Sequence, residues 1–167
     1  MRCSSPRLRF VPFAPALAPR VWSLWNDPAV GRYLFDGQPV SRKHVDDWIA
    51  TSTRTTATHG HGLCLLESAQ TGDELGFAGL VHLLDVGELE FVAGLWPQAW
   101  GQGLATEGAK ASMQYGFERM GFEQIVAVVH PGNTASHRVI EKLGMSFVEE
   151  TQYFGMQVFR YVSKAFT

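Results

Sequence analysis

Apolar and polar positions change their spacing several times along the chain, and each change marks an element. Leu8 to Val11 is a short apolar run halted by the prolines that follow, the pattern of a brief strand. Leu17, Val21, Leu24 and Trp25 then recur at three and four residues and predict a helix over about 17–25, ended by Asp27-Pro28. Ser41 stands as an N-cap, and Val45, Trp48 and Ile49 repeat behind it, which predicts a helix over about 42–52. Residues 51–62 are polar and read as a loop. Leu63 to Glu67 and Leu75 to Leu83 read as two strands joined through a turn at Thr71-Gly72-Asp73. Leu89 to Leu95 reads as a third, closed by Trp96-Pro97.

Beyond a Gly-rich turn, helical spacing resumes from about Leu104 to Met120, with Ala105, Ala109, Met113, Gly116, Phe117 and Met120 on the apolar face. Ile125 to Val129 is a continuous apolar run rich in β-branched residues, typical of a strand buried on both faces. Asn133 is the N-cap of a further helix with Ala135, Val139, Ile140 and Leu143 inside and Gly144 as its C-cap. Strands at about 147–150 and 158–163 finish the chain. This order predicts an α/β domain: a mixed sheet with helices packed on it.

Composition narrows the classes. The chain has 167 residues, 46% of them hydrophobic and 18% charged, which fits one folded domain over 1–167 and excludes a disordered chain. Fourteen basic residues against 16 acidic ones give a net charge of −2, so no basic surplus exists to neutralise nucleic-acid phosphates. Cys3 and Cys64 are too few for a disulfide framework or a cysteine-only zinc site, and no metal is expected. No apolar run approaches the ~20 residues of a membrane span, and the prolines near the N-terminus interrupt any signal-peptide core. The expected compartment is the cytoplasm, with no membrane partner.

The chemistry concentrates between Pro97 and Glu107, where a strand meets a long helix. Gly101 and Gly103 let the backbone approach a ligand, and the free N–H groups of the helix's first turn form an anion site. No Lys or Arg lies between Pro97 and Thr106, so an anion would be held by backbone amides. Gly-x-Gly alone equally describes a tight strand–helix turn. A P-loop is excluded because Leu104 and Ala105 stand where Lys-Ser/Thr is needed. The dinucleotide fingerprint fails at Thr106, which stands in place of its third glycine, and this argues against a nucleotide-binding oxidoreductase.

Taken together, Trp100 to Glu107 and His130 to Met145, with Leu8-Arg9-Phe10, the Thr71-Gly72 turn and Gly76, resemble the GNAT superfamily of acyl-CoA-dependent N-acetyltransferases. The resemblance is greatest to the bacterial ribosomal-protein N-terminal acetyltransferases. It implies a GNAT fold, with a central mixed, mostly antiparallel sheet flanked by helices, and acetyl-CoA as cosubstrate. The loop of Trp100, Gly101, Gln102, Gly103, Leu104 and Ala105 would cradle the CoA pyrophosphate. The strand ending at Leu95 would bind the pantetheine arm and offer an oxyanion donor, and Asn133 would contact the cofactor near the thioester, beside Ser136. The motif fits in two registers, Gln98-x-x-Gly101-x-Gly103 and Trp100-x-x-Gly103-x-Ala105; the second places Ala105 on the helix. Many relatives carry a Tyr general acid where this chain has Ile140, which donates no proton.

Acetyl transfer to an amine needs a base for the ammonium proton, polarisation of the thioester carbonyl and support for the departing thiolate. Glu90, in an otherwise apolar strand, is the candidate base, or else an exposed carboxylate opposite the core. Ser136 is the candidate at the thiolate, or else a first-turn serine satisfying the backbone. His59 and His61 read as a solvated loop, Cys64 as an inert strand thiol, His130 as a structural strand-end residue and Glu107 as a partner of the helix N-terminus. Arg138 and Lys142 read as a solvated face; Trp22, Trp25, Phe35 and Trp48 read as core and cleft wall. Asp85, Glu88 and Glu90 predict an acidic cleft mouth that favours a cationic acceptor. The resemblance implies a primary amine as acceptor, a small molecule or a protein N-terminus. A homodimer, common in such folds, is a candidate assembly, and a non-catalytic acyl-CoA sensor is the competing class.

Overall fold

The first half of the chain runs through β1 (Leu8–Pro12), α1 (Ala18–Trp25), α2 (Pro28–Gly31), α3 (Arg42–His59), β2 (Leu63–Ser68), β3 (Glu74–His82) and β4 (Leu89–Leu95). The second half contains α4 (Leu104–Gln114), β5 (Gln124–Val129), α5 (Thr134–Leu143), β6 (Ser146–Tyr153) and β7 (Met156–Lys164). The structure, a computed structural model, describes residues 3–82, 88–153 and 155–165. The strands form one sheet in the order β1-β2-β3-β4-β5-β7-β6. Every neighbouring pair is antiparallel except β4 and β5, which are parallel. This is the expected mixed, mostly antiparallel sheet.

Side chains alternate across the sheet, so each central strand feeds two cores. Leu66, Leu80, Phe91 and Ile125 join Leu104, Met113 and Ile140 from α4 and α5. Leu65, Phe77 and Val81 join Val21, Leu24, Trp25 and Ile49 from α1 and α3. Each such side chain contributes roughly 1.5–3 kcal/mol by leaving water. The double burial explains why β2 and β5 read as continuous apolar runs.

Several elements differ from expectation. The α3 helix does not stop near Ser52 but runs to His59, through the stretch that reads as a loop. Threonine disfavours helix because its hydroxyl competes for backbone groups. Here the competition is absorbed: Thr55 and Thr58 donate to the carbonyls of Thr51 and Arg54, each at 2.9 Å. Ser52, fully buried, accepts from the Leu63 amide at 2.7 Å and ties α3 to β2. Gly60, at φ 79°, ends the helix in the left-handed region.

The predicted 104–120 helix is α4 plus one π-helical turn, Tyr115–Arg119. A side chain at Gly116 would meet Ile125 at 2.7 Å, so the glycine permits close packing on β5. Leu104, Gly108 and Ser112 are buried too and widen the expected face. In α5 the inward stripe runs through Ser136, Val139, Ile140 and Leu143; Ala135 is exposed and falls outside it. Both final strands are longer than expected; β6, the sheet edge, is mostly exposed on both faces and shows no burial alternation to mark its length.

Candidate functional site

The one parallel pair sets the geometry. β4 and β5 are joined at a single register pair, Glu90↔Val126, although both strands continue beyond it. Past Glu90, β4 is paired only with β3, so the backbone groups along its other edge face a gap. Being parallel, β4 and β5 deliver α4 and α5 to the same end of that gap. The carboxyl ends of parallel strands at such a divergence are where open α/β sheets bind ligands.

Each helix begins differently. Gly101 and Gly103 are both left-handed, at φ 74° and 76°, and α4 starts immediately after, with no side-chain cap on its first amides. Those amides are therefore open to an anion. The turn is braced from outside: Trp100 Nε1 donates to the Leu95 carbonyl at 2.8 Å and Gln102 Nε2 to the Gln98 carbonyl at 2.9 Å. The Trp100 ring, 52% exposed, thus caps the end of β4. Leu104 is buried and pins the helix start, and Ala105 lies on the helix.

A cation that local spacing did not reveal sits here. Arg7, just ahead of β1, donates through Nη1 to the Gln102 carbonyl at 3.0 Å and through Nε to Glu107 at 2.6 Å. Its backbone amide and the Ser5 hydroxyl hold the same carboxyl at 2.9 and 2.8 Å. Burial pushes Glu107 up, but these bonds outweigh it and hold the carboxyl below its usual range. Glu107, the acidic residue of the first turn of α4, thus also fastens the N-terminal segment.

At α5, Asn133 Oδ1 accepts from the Ser136 amide at 3.1 Å, the predicted N-cap. Cap and first-turn serine thus stand together at the mouth of the gap. The preceding turn is fastened twice: the Gly132 amide donates to His130 Nδ1 at 3.0 Å, and Tyr33, beyond α2, donates its hydroxyl to the Gly132 carbonyl at 3.0 Å. Tyr33 was not expected here. His130 has the structural part expected of it. Ile140 is 5% exposed and lies in the core, packed with α4 and the central strands.

Glu90 lies where β4 and β5 part. It is 5% exposed, which rules out the exposed-carboxylate alternative. Tyr153, at the end of β6, donates its hydroxyl to Glu90 Oε2 at 2.7 Å. Burial pushes the carboxyl up to about 7 against the opposing Tyr153 bond, with the Glu88 charge adding to the rise. The site thus holds a carboxyl that titrates near neutrality, as a general base requires.

The acidic mouth is not what the described residues form. Glu88 is paired with Arg160, Glu90 is buried, and Asp85 lies outside the described residues. His61 is not solvated: it is 1% exposed, packs against His82 and Phe122, and burial pushes its pKa down. Among the described residues no group of three His, Cys, Asp or Glu side chains could hold a metal. Burial pushes the Cys64 thiol up to about 12, which leaves it inert as a nucleophile. Trp25 is core, ringed by Phe13, Phe35, Trp48 and Phe77. Beside Val81, the cross-strand partner of Glu90, a hollow of about 210 Å³ opens between α3 and β3, walled by Trp48, Thr55, His59 and His82.

The acetyltransferase (GNAT) domain pattern matches residues 7–146. The chain belongs to the GNAT acetyltransferase family. This GNAT protein is 30% identical over 145 residues to the uncharacterized protein YkkB of Bacillus subtilis (strain 168), covering 86% of this chain and 83% of that one. Among solved structures it shares its fold with RimL, a ribosomal L7/L12 α-N-protein acetyltransferase in complex with coenzyme A (TM-score 0.79, 15% identity, 96% of each chain). It shares it equally with the spermidine N-acetyltransferase of Vibrio cholerae in complex with CoA and spermine (TM-score 0.78, 17% identity, 96% of each chain). As a GNAT member the protein is an N-acetyltransferase. No helix among the described residues is long and apolar enough to cross a membrane.

Proposed function

We propose that this GNAT protein transfers an acetyl group from acetyl-CoA to a primary amine by direct attack in a ternary complex. The observation that carries this is Glu90: a buried carboxyl titrating near 7, placed where β4 and β5 diverge.

Several features fit acetyl-CoA. The uncapped α4 amides behind Gly101 and Gly103 suit a diphosphate, and the open β4 edge up to Leu95 suits an amide-bearing arm. Asn133 and Ser136 stand across the gap. When bound, acetyl-CoA supplies an activated thioester carbonyl. Glu90 takes the ammonium proton, directly or through water, and frees the lone pair that forms the new C–N bond as the C–S bond breaks. A β4 backbone N–H on the open edge stabilises the charge developing on the carbonyl oxygen. The Ser136 hydroxyl supports the departing sulfur, because Ile140 has no proton to offer.

The acceptor is a small-molecule amine or a protein N-terminus, with the hollow beside Val81 as room for its bulk. RimL and the spermidine enzyme span both acceptor classes on this fold. The test is thiol release from acetyl-CoA against a panel of N-terminal peptides, polyamines and amino acids. Turnover abolished in Glu90→Gln with acetyl-CoA affinity intact supports the reading. Binding without turnover on any amine favours the sensor alternative, for which the buried Ile140 is the supporting observation.

A further inference from the structure

Strand order puts Tyr153 and Glu90 far apart, yet they touch. β6 lies three strands from β4, roughly 14 Å at about 4.8 Å per strand, which exceeds the reach of a tyrosine. The 2.7 Å bond therefore requires the end of the β6–β7 hairpin to curl over the face of the sheet. The end of that hairpin is the pair Tyr153↔Met156, which closes the ladder. It brings a hydroxyl to Glu90 from 63 residues away.

We infer that Tyr153 is the positioning residue for the base: its phenol holds Glu90 Oε2, fixes the carboxyl's orientation in the gap, and leaves Oε1 to take the acceptor's proton. The inference rests on the reading of Glu90 as base given above. Tyr153 touches no reacting atom; it acts through Glu90.

The surroundings give the role a sign. A hydrogen bond donated to a carboxylate favours the charged form, whereas burial and the neighbouring Glu88 favour the neutral one. Glu88 is paired with Arg160 of β7, and Glu149 of β6 lies 3.9 Å beyond that guanidinium. From β3, His82 meets the Glu88 carbonyl through Nδ1 at 3.1 Å. The strand neighbours directly beside Glu90, Val81 and Val126, are uncharged. Among these groups Tyr153 alone is a donor to the Glu90 side chain, so removing its hydroxyl leaves the opposing influences in place.

The test compares the full-length native protein with Tyr153→Phe, Glu90→Gln and a protein carrying 3,5-difluorotyrosine at 153. Two readouts are taken: the acid limb of kcat/KM against pH, and the Glu90 carboxyl titration by ¹³C NMR without substrate. In Tyr153→Phe the Glu90 titration and the acid limb move together to higher pH by about one unit. Activity then falls roughly tenfold below the limb and recovers above it, with KM for acetyl-CoA unchanged. The more acidic fluorinated phenol is a stronger donor and moves both readouts to lower pH. It keeps the test decisive should the Phe variant fold poorly. A titration unmoved in both variants, or a loss of activity equal at every pH, overturns the inference alone. Normal turnover by Glu90→Gln overturns the base reading and the inference with it.

Discussion

Arg7 grips Glu107 twice, by its backbone amide at 2.9 Å and by Nε at 2.6 Å, across a separation of 100 residues. The same guanidinium reaches Gln102, so one N-terminal residue spans the Gly-rich turn and the first turn of α4. Arg7→Ala should therefore loosen the turn and weaken acetyl-CoA binding several-fold. The side chain is half exposed, so the pair's coupling energy should be only about 1 kcal/mol. A double-mutant cycle with Glu107→Gln, read by chemical denaturation and by acetyl-CoA titration, measures it. Strictly additive effects would show that the contact carries no coupling.

Gly103 is left-handed at φ 76°, so any β-carbon strains the turn regardless of space. Gly103→Ala should cost about 1–2 kcal/mol in stability. Gly103→Glu should in addition abolish acetyl-CoA binding, because a carboxylate would face the proposed diphosphate. Calorimetric titration beside a thermal melt separates the two effects. A Gly103→Glu protein that binds normally would remove the turn from the cofactor site.

Glu90 gives stability a sign with pH. Its folded carboxyl titrates at about 7 against an ordinary value of 4.5, so the folded state holds the proton more tightly. Stability is full below 4.5, declines as pH rises to about 7, and is flat above. That gap amounts to roughly 3 kcal/mol at most. Glu90→Gln should therefore be the more stable protein at pH 8, with the advantage fading at pH 4. Parallel urea unfolding series at both pH values test this; an advantage independent of pH would contradict it.

Ile140, where the resemblance to GNAT enzymes implied a general-acid tyrosine, has its side chain in the core. Ile140→Tyr should not add a general acid. It should overpack the α5 side of the sheet and cost about 1–3 kcal/mol. Melting temperature and turnover, measured on one preparation, decide between damage and gain. Faster turnover at unchanged stability would show that the residue faces the gap after all.

Elements with a strong apolar period were legible from the sequence: α1, β4, β5 and the capped α5 lie within a residue or two of where the pattern puts them. The second half of α3 was not, because its threonines satisfy their hydroxyls on the helix itself and imitate a loop by composition. β6 was short in the sequence because an exposed edge strand has no buried face to mark it. The Gly101–Gly103 turn and the Asn133 cap were legible because special backbone conformations demand particular residues. Arg7, Tyr33 and Tyr153 were not, since each reaches its partner across 60 residues or more and only the fold brings them together.

The lone Glu90↔Val126 pair means that the sheet is nearly two sheets, one built from residues 8–95 and one from residues 124–164. Among the described residues four side-chain fasteners run across this seam: Tyr153 to Glu90, Arg160 and Gln124 to Glu88, and Tyr33 to Gly132. The two halves are each laced internally by antiparallel ladders and to one another by little else in the sheet. Under the proposed function, a thioester entering this seam would work against the bond that holds Glu90. Admission of the substrate and readiness of the carboxyl would then be one mechanical event rather than two.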